Sequence, residues 1–221
     1  MILSPIVLIV LQGDLGTALM YLPILAGMTL LITGLKKKLL LGMLAFSLAV
    51  APLTWLVLKD YQKQRILVTL DPGLDPQGIG YQTRQSQIAI GSGGLLGKGI
   101  GQGLQSKLGF VPEVHTDFIF ALLAEEVGFV GASIILMLYL LVLMRLIHIA
   151  ETARDRVGIL IVTGVASLIF FHVVVNIGMT LGVLPAIGIP LPLLSYGGSS
   201  TLTTFAALGL ALSVFQRRFV Y

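Results

Sequence analysis

The sequence predicts an all-α polytopic membrane protein, and three observations carry that prediction. The 221 residues are 56% hydrophobic and only 11% charged, with a mean hydropathy of +0.99. A water-soluble domain carries about 25% charged residues, so lipid must cover a surface that this chain cannot make polar. Second, several apolar runs reach the roughly 20 residues needed to cross a bilayer core about 30 Å thick. Third, the 14 Lys and Arg lie between those runs or at their ends. This composition excludes a disordered chain, a disulfide scaffold and an ordinary cytosolic enzyme. The formal charge of +4 is dispersed in short clusters, which is no footprint of a nucleic-acid binder. The chain holds no cysteine, which removes thiolate chemistry and thiol-based metal sites.

In chain order, the run 2–11 is apolar but too short to cross. It lacks the basic segment and cleavage site of a signal peptide, and it reads as the second half of a helix, so the chain reads as a piece of a longer one. Runs 15–33, 39–58, 118–145 and 157–184 qualify as spans, and 193–215 is a fifth that enters through a polar stretch. The expected architecture is therefore about five full transmembrane helices plus a partial one, forming a single membrane domain over 1–221. Lys36, Lys37 and Lys38, then Arg145, Arg154 and Arg156, then Arg217 and Arg218 all fall on one side if every run crosses once. The positive-inside rule makes that side cytoplasmic. The uncharged connection 185–192 and the long loop 59–117 then lie outside. That loop is too long to be a mere connection. Its apolar residues, among them Tyr61, Leu67, Val68, Ile88, Leu95, Leu96 and Phe110, predict short amphipathic segments lying on the membrane surface. Asp71-Pro72-Gly73 and Asp75-Pro76 are turn chemistry.

Four stretches break the apolar pattern. Residues 91–103 hold seven glycines around Lys98, but Gly99 follows Lys98 where a Walker loop has Ser or Thr, and Ser92 stands where it has Gly. The segment reads as a flexible turn against the bilayer, or else as backbone amides and Lys98 holding a lipid pyrophosphate. In 112–120, Glu113, His115 and Asp117 stand where the loop becomes a helix. There a carboxylate gains from the macrodipole, while an alternative is that Asp117 or Thr116 simply caps the helix. On that helix Ala121, Ala124, Gly128 and Gly131 fall within about 40° of the azimuth of Asp117, a stripe that lets another backbone or a lipid tail approach. Glu125 and Glu126 follow, about 12–14 Å deeper, and intramembrane carboxylates line a cavity or find a partner. No span here supplies a Lys or Arg, so protonation, a polar group such as Asn176, or the part of the fold that precedes this piece is the expected answer. His172 and Asn176, four residues apart, are expected to tie helices together. Gln12-Gly13-Asp14-Leu15-Gly16-Thr17 and the Pro- and Gly-rich 190–200 are polar breaks at membrane depth, which need a wet or protein-lined cavity. Asp14, Ser195 and Tyr196 are expected to line it on the outer side.

The motifs QGDLGTA (12–18), DYQKQR (60–65), DPGLDPQGIGYQ (71–82), QSQIAIGSGGLLGKG (85–99), PEVHTDFIFALLAEEVGFVG (112–131) and VNIGMTLGVLPAIGIPLPLLSYGGSS (175–200) together resemble the SEDS family, the RodA/FtsW proteins of bacterial cell-wall synthesis. The resemblance is stronger to the elongation branch than to the division branch. It departs at Gly13, where the family usually has Pro, and it covers the C-terminal part of a ten-helix fold, from the end of the fifth helix onward. It implies a peptidoglycan glycosyltransferase in the bacterial cytoplasmic membrane. The enzyme would polymerise lipid II (an undecaprenyl-pyrophosphate glycolipid) at the outer face, beside a class B penicillin-binding protein and other elongation-complex proteins. The family's essential acid falls on Asp117. Glu113 and His115 are then expected to orient the acceptor sugar and Lys98 or Arg84 to screen pyrophosphate, with loop-packing salt bridges as the alternative. Ser195 and Tyr196 are expected at the substrate, and Asp14, Glu125, Glu126 and Asn176 as cavity or structural polar groups. No cofactor is evident and no metal ligand set is expected, though a divalent cation stays possible. The rival readings are a lipid II transporter and a non-catalytic scaffold for the transpeptidase.

Overall fold

The computed structural model describes residues 58–103 and 115–217, with a few positions before them (9, 12, 21, 24–29 and 42). The predicted spans 15–33 and 39–58, the run 2–11, and the candidate residues Asp14 and Glu113 therefore lie outside the described residues, apart from the helical piece 24–29. Within them every regular element is helical. Helix α1 (Asp60–Leu70) leads through a 3-10 turn (Pro72–Leu74) to α2 (Ile79–Gly93), and α3 (Ile119–Thr152), α4 (Arg156–Thr180) and α5 (Gly198–Arg217) follow. The last three are long and apolar enough to cross a membrane, and the protein is an integral membrane protein.

The loop helices start where polar side chains can satisfy their free amides. Gln62 Oε1 accepts from the Lys59 amide at 2.9 Å, closing the entry to α1. Asp71 Oδ1 accepts from the Gly73 amide at 2.9 Å. Asp75 accepts from the Gly78 and Ile79 amides at 2.9 and 3.0 Å, which turns the chain into α2. The two Asp-Pro turns read from the sequence are both present.

Helices α3, α4 and α5 pack through small side chains. Ala132 and Ala150 of α3, Ala166 of α4 and Ala211 of α5 are buried in one cluster with Val162, Ile169, Tyr139 and Leu146. Lipid offers no hydrophobic gain for helix association, so close backbone approach and dispersion hold such a bundle together. The opposite face of α3 exposes Phe129, Met137, Leu138, Leu141 and Met144, which only acyl chains or another apolar helix would solvate. Where α4 ends, at Thr180 and four residues short of the predicted span, α2 supplies the missing partners. Ser86 Oγ donates to the Thr180 carbonyl at 2.8 Å and Gln87 Nε2 to the Leu181 carbonyl at 2.9 Å.

The third span is not one straight helix. Gly128 (φ 67°, ψ −169°) divides α3 in two, in a region of backbone space that is essentially glycine-only. The glycine-rich segment splints the division on both sides. Lys98 and Gly99 donate their amides to the Glu125 and Glu126 carbonyls, each at 3.0 Å, while the Phe129 and Val130 amides donate to the Gly94 and Leu95 carbonyls at 2.9 and 3.1 Å. The stripe of small residues thus admits a backbone, and that backbone belongs to the chain's own loop. A Cβ on Gly93 would sit 2.0 Å from the Ala124 carbonyl oxygen, and one on Gly128 would sit 2.2 Å from the Gly97 nitrogen. The expectation of a flexible turn against the bilayer gives way to a bonded splint, because a broken membrane helix leaves amides and carbonyls that something must pair.

Gly128→Ala should therefore destabilise the protein by more than about 2 kcal/mol, since it adds backbone strain to a steric clash. Gly91→Ala, a helical site with nothing within 4 Å of an added Cβ, should be neutral or stabilising by up to ~1 kcal/mol. Thermal unfolding of the two variants in one detergent checks the contrast.

Candidate functional site

Asp117 lies in the turn that leads into α3, half-buried. The cap position of that helix falls on Phe118, with no side-chain cap bond, and not on Thr116 or Asp117. The alternative that one of those two serves as its N-cap is corrected on that point. What fixes the turn is a run of three consecutive carbonyls, each bonded from a different group. The Tyr196 amide donates to the His115 carbonyl at 2.8 Å. Ser195 Oγ donates to the Thr116 carbonyl at 2.6 Å, and itself accepts from the Leu191 amide at 2.7 Å. Asn176 Nδ2 donates to the Asp117 carbonyl at 2.8 Å.

The segment between α4 and α5 makes this clasp possible because its prolines and glycines keep it out of a helix. Leu191–Ser195 closes as a turn in which the Ser195 amide donates to the Leu191 carbonyl at 2.9 Å, and Leu193 takes φ 68° to close it. That conformation is uncommon for a non-glycine residue. Tyr139 of α3 donates its hydroxyl to the Pro192 carbonyl. Gly188 (φ 79°) passes under the Asp117 carboxylate so closely that an added Cβ would come within 3.2 Å of Oδ2. From α1, Arg65 Nη1 reaches the Ala186 carbonyl at 3.1 Å. It brings a guanidinium to the same segment and a role that the sequence motif gave no reason to assign.

Beside this clasp runs a groove of about 900 Å³, lined by His115 and Ile119 on one side, Leu194, Ser195, Tyr196 and Gly197 on another, and Gly198, Thr201 and Leu202 of α5. His115, Ser195 and Tyr196 are thus brought together as the sequence reading grouped them. Asp117 is not among the lining residues, although it lies between His115 and Ile119 in the chain. Tyr196 is exposed, whereas Ser195 is buried and spends its hydroxyl on the clasp.

Lys98 stands elsewhere. Its ammonium pairs with Glu125 Oε1 at 2.9 Å and donates to Ser92 Oγ at 2.7 Å, and Glu125 is fully buried. The expectation that Glu125 would be answered by protonation or by Asn176 is corrected: its cation comes from the loop, because the splint lays Lys98 against the helix. Glu126 accepts the Gly101 amide at 2.9 Å. Asn176 reaches Asp117 and Ile189 instead, and His172 Nδ1 donates to the Leu168 carbonyl of its own helix at 2.8 Å, so of that pair Asn176 alone makes the expected cross-tie. Arg84 is exposed on α2. Among the described residues no three His, Asp or Glu side chains converge as a metal site requires.

Removing one partner of a fully buried ion pair costs about 3–5 kcal/mol. The Lys98 side chain is 28% exposed, so Lys98→Met should cost less than that, and Lys98→Met with Glu125→Gln should recover most of the loss. A double-mutant cycle on thermal stability should return a coupling of at least ~1 kcal/mol.

The profile of the FtsW/RodA/SpoVE family, described as cell cycle proteins, matches residues 1–218. Over 220 residues the chain is 46% identical to the peptidoglycan glycosyltransferase MrdB of Escherichia coli (strain K12), covering 99% of this chain and 59% of that protein. Over 178 residues it is 47% identical to the peptidoglycan glycosyltransferase RodA of Treponema pallidum (strain Nichols), covering 80% and 41% respectively. Among solved structures, a chain from a peptidoglycan synthase complex described as coordinating polymerization and crosslinking is 39% identical with a TM-score of 0.77, covering 99% of this chain and 60% of that one. The rod shape determining protein RodA of Thermus thermophilus is 33% identical with a TM-score of 0.61, covering 99% and 55%. The chain spans about three-fifths of the length of the MrdB relative it matches. With a broken third span, a loop folded onto it and a profile match over nearly every residue, the chain belongs to the FtsW/RodA/SpoVE family of cell cycle proteins.

Proposed function

We propose that this chain carries the catalytic acid–base group of a peptidoglycan glycosyltransferase that polymerises lipid II at the outer face of the bacterial cytoplasmic membrane, beside a class B penicillin-binding protein. The observation that carries the reading is the clasp: a half-buried carboxylate at one end of an apolar bundle, its three neighbouring carbonyls each held by a separate group. The names of its relatives supply the reaction class, and the distribution of Lys and Arg supplies the orientation.

The chemistry asks for a base at that place. The 4-hydroxyl oxygen of the acceptor sugar bonds to the anomeric carbon of the donor. The bond from that carbon to pyrophosphate breaks, and its electron pair leaves on the lipid pyrophosphate. The hydroxyl proton passes to the Asp117 carboxylate, and an α-linked donor becomes a β-linked product. General-base assistance of this kind contributes typically ~10²–10⁴-fold. The groove of about 900 Å³ along His115, Tyr196 and α5 has room for sugar or isoprenyl chain, and its lining includes His115 and Ile119 on either side of Asp117 in the chain. Lys98, tied to Glu125 and Ser92, serves the splint, which leaves the exposed Arg84 as the remaining expected cation for a pyrophosphate.

Asp117→Asn should lower polymerisation of labelled lipid II by the intact membrane protein and its transpeptidase ~10²-fold or more, while thermal stability and partner binding are kept. Undiminished glycan synthesis by that variant would remove the base role and favour transport or scaffolding.

A further inference from the structure

We infer that Asn176 is a positioning residue for the transfer reaction, acting through Asp117; the inference rests on the reading of Asp117 as the base. Asn176 is completely buried in the last turns of α4, where an amide needs a reason to be. Both hydrogens of its Nδ2 are spent, one on the Asp117 carbonyl at 2.8 Å and one on the Ile189 carbonyl at 2.7 Å. Its Oδ1 has no hydrogen-bond partner among the described residues. The amide is therefore held by its donors, because rotating it by half a turn would set Oδ1 against two carbonyl oxygens.

The two carbonyls belong to the two pieces of chain that flank the reacting carboxylate. One is the backbone of Asp117 itself, just ahead of the first turn of α3, which closes on the Phe118 carbonyl from the Ala121 amide at 3.0 Å. The other is one residue beyond Gly188, whose backbone runs beneath Asp117 Oδ2, and it precedes Pro190, which keeps it out of a helix. One short side chain thus sets both the height of the carboxylate and the wall beside it. Ser195 restrains the neighbouring Thr116 carbonyl and Tyr196 the His115 carbonyl, while Asn176 bonds the residue that carries the acid. A displacement of about 1 Å at a reacting group can cost ~10²-fold in rate.

The test uses the intact membrane protein with its transpeptidase and labelled lipid II. Asn176→Ser keeps at most one donor, introduces no charge, and shortens the reach. It should lower kcat ~10²-fold with KM within about threefold of the parent, because substrate binding does not depend on the amide. Placed in an Asp117→Glu background, the same change should cost less than about threefold more, because two changes acting through one group are not additive. A folded Asn176→Ser protein with kcat within about twofold of the parent would overturn the inference, as would an equal loss in both backgrounds. Asn176→Asp, of the same size, is the second variant. If neither variant folds, the amide holds the bundle and not the carboxylate, and the inference fails. Full activity of Asp117→Asn overturns both readings, whereas full activity of Asn176→Ser beside an inactive Asp117→Asn overturns this one alone.

Discussion

Irregular backbone inside an apolar bundle has no water to turn to, and the described part of this protein is organised by the need to pair it. Three places leave the helical ladder: the division at Gly128, the end of α4 after Thr180, and the turn at 115–117. Each is answered from a segment distant in the chain, by residues 94–99, by Ser86 and Gln87, and by Asn176 with Ser195 and Tyr196. A buried carbonyl or amide left unpaired costs about 1–3 kcal/mol, so no one of these junctions can be lost without the others feeling the strain. The loop helix α2 takes part in two of them, since its C-terminal glycines meet α3 while Ser86 and Gln87 meet α4.

That arrangement explains why a loop of this length sits on the bundle as a fitted part. Its glycines allow main-chain contact where side chains would stand in the way, as at Gly93 over the Ala124 carbonyl. Its one cation in the glycine-rich stretch then neutralises a fully buried carboxylate. A pair of this kind contributes little net stability, because desolvation offsets much of its attraction. The pair forms where Gly97 lies against Gly128, so it accompanies the main-chain bonds that seat the loop on the helix.

The sequence made some of this legible and not the rest, for physical reasons. The three described spans follow from apolar length, which is a property of composition. Their ends do not: α3 continues to Thr152 beyond the predicted 145 because helix propensity does not stop at the edge of the apolar run, and α4 stops at Thr180 because Gly182 takes φ 73°. The helical stripe of Ala121, Ala124 and Gly128 correctly announced a close approach, since periodicity reports which face is thin. It could not say what fills the gap, and so neither the splint nor the Lys98 partner of Glu125 was visible. The contact of Arg65 and the clasp role of Ser195, which was expected at the substrate, were equally hidden, because each acts on a carbonyl, and a carbonyl is the same in every residue. The prominence of Asp117 came from its motif and the resemblance, not from spacing, while the Asn176 cross-tie rested on one polar residue in an apolar helix.

On the proposed reading, a carboxylate that accepts a proton from a sugar hydroxyl faces two opposed demands. It has to be exposed enough to meet a bulky, lipid-tethered substrate, and fixed enough to meet it at hydrogen-bonding distance. Side-chain burial would answer the second demand and defeat the first. The clasp separates the two, because it immobilises Asp117 through its own carbonyl and those of its two predecessors while leaving the carboxyl group only half-buried beside Gly188. Rigidity is thereby placed in the main chain beside the carboxyl group. The closeness of that packing accounts for glycine at 188: a side chain there would be strained at φ 79° and would bring a Cβ within 3.2 Å of Asp117 Oδ2.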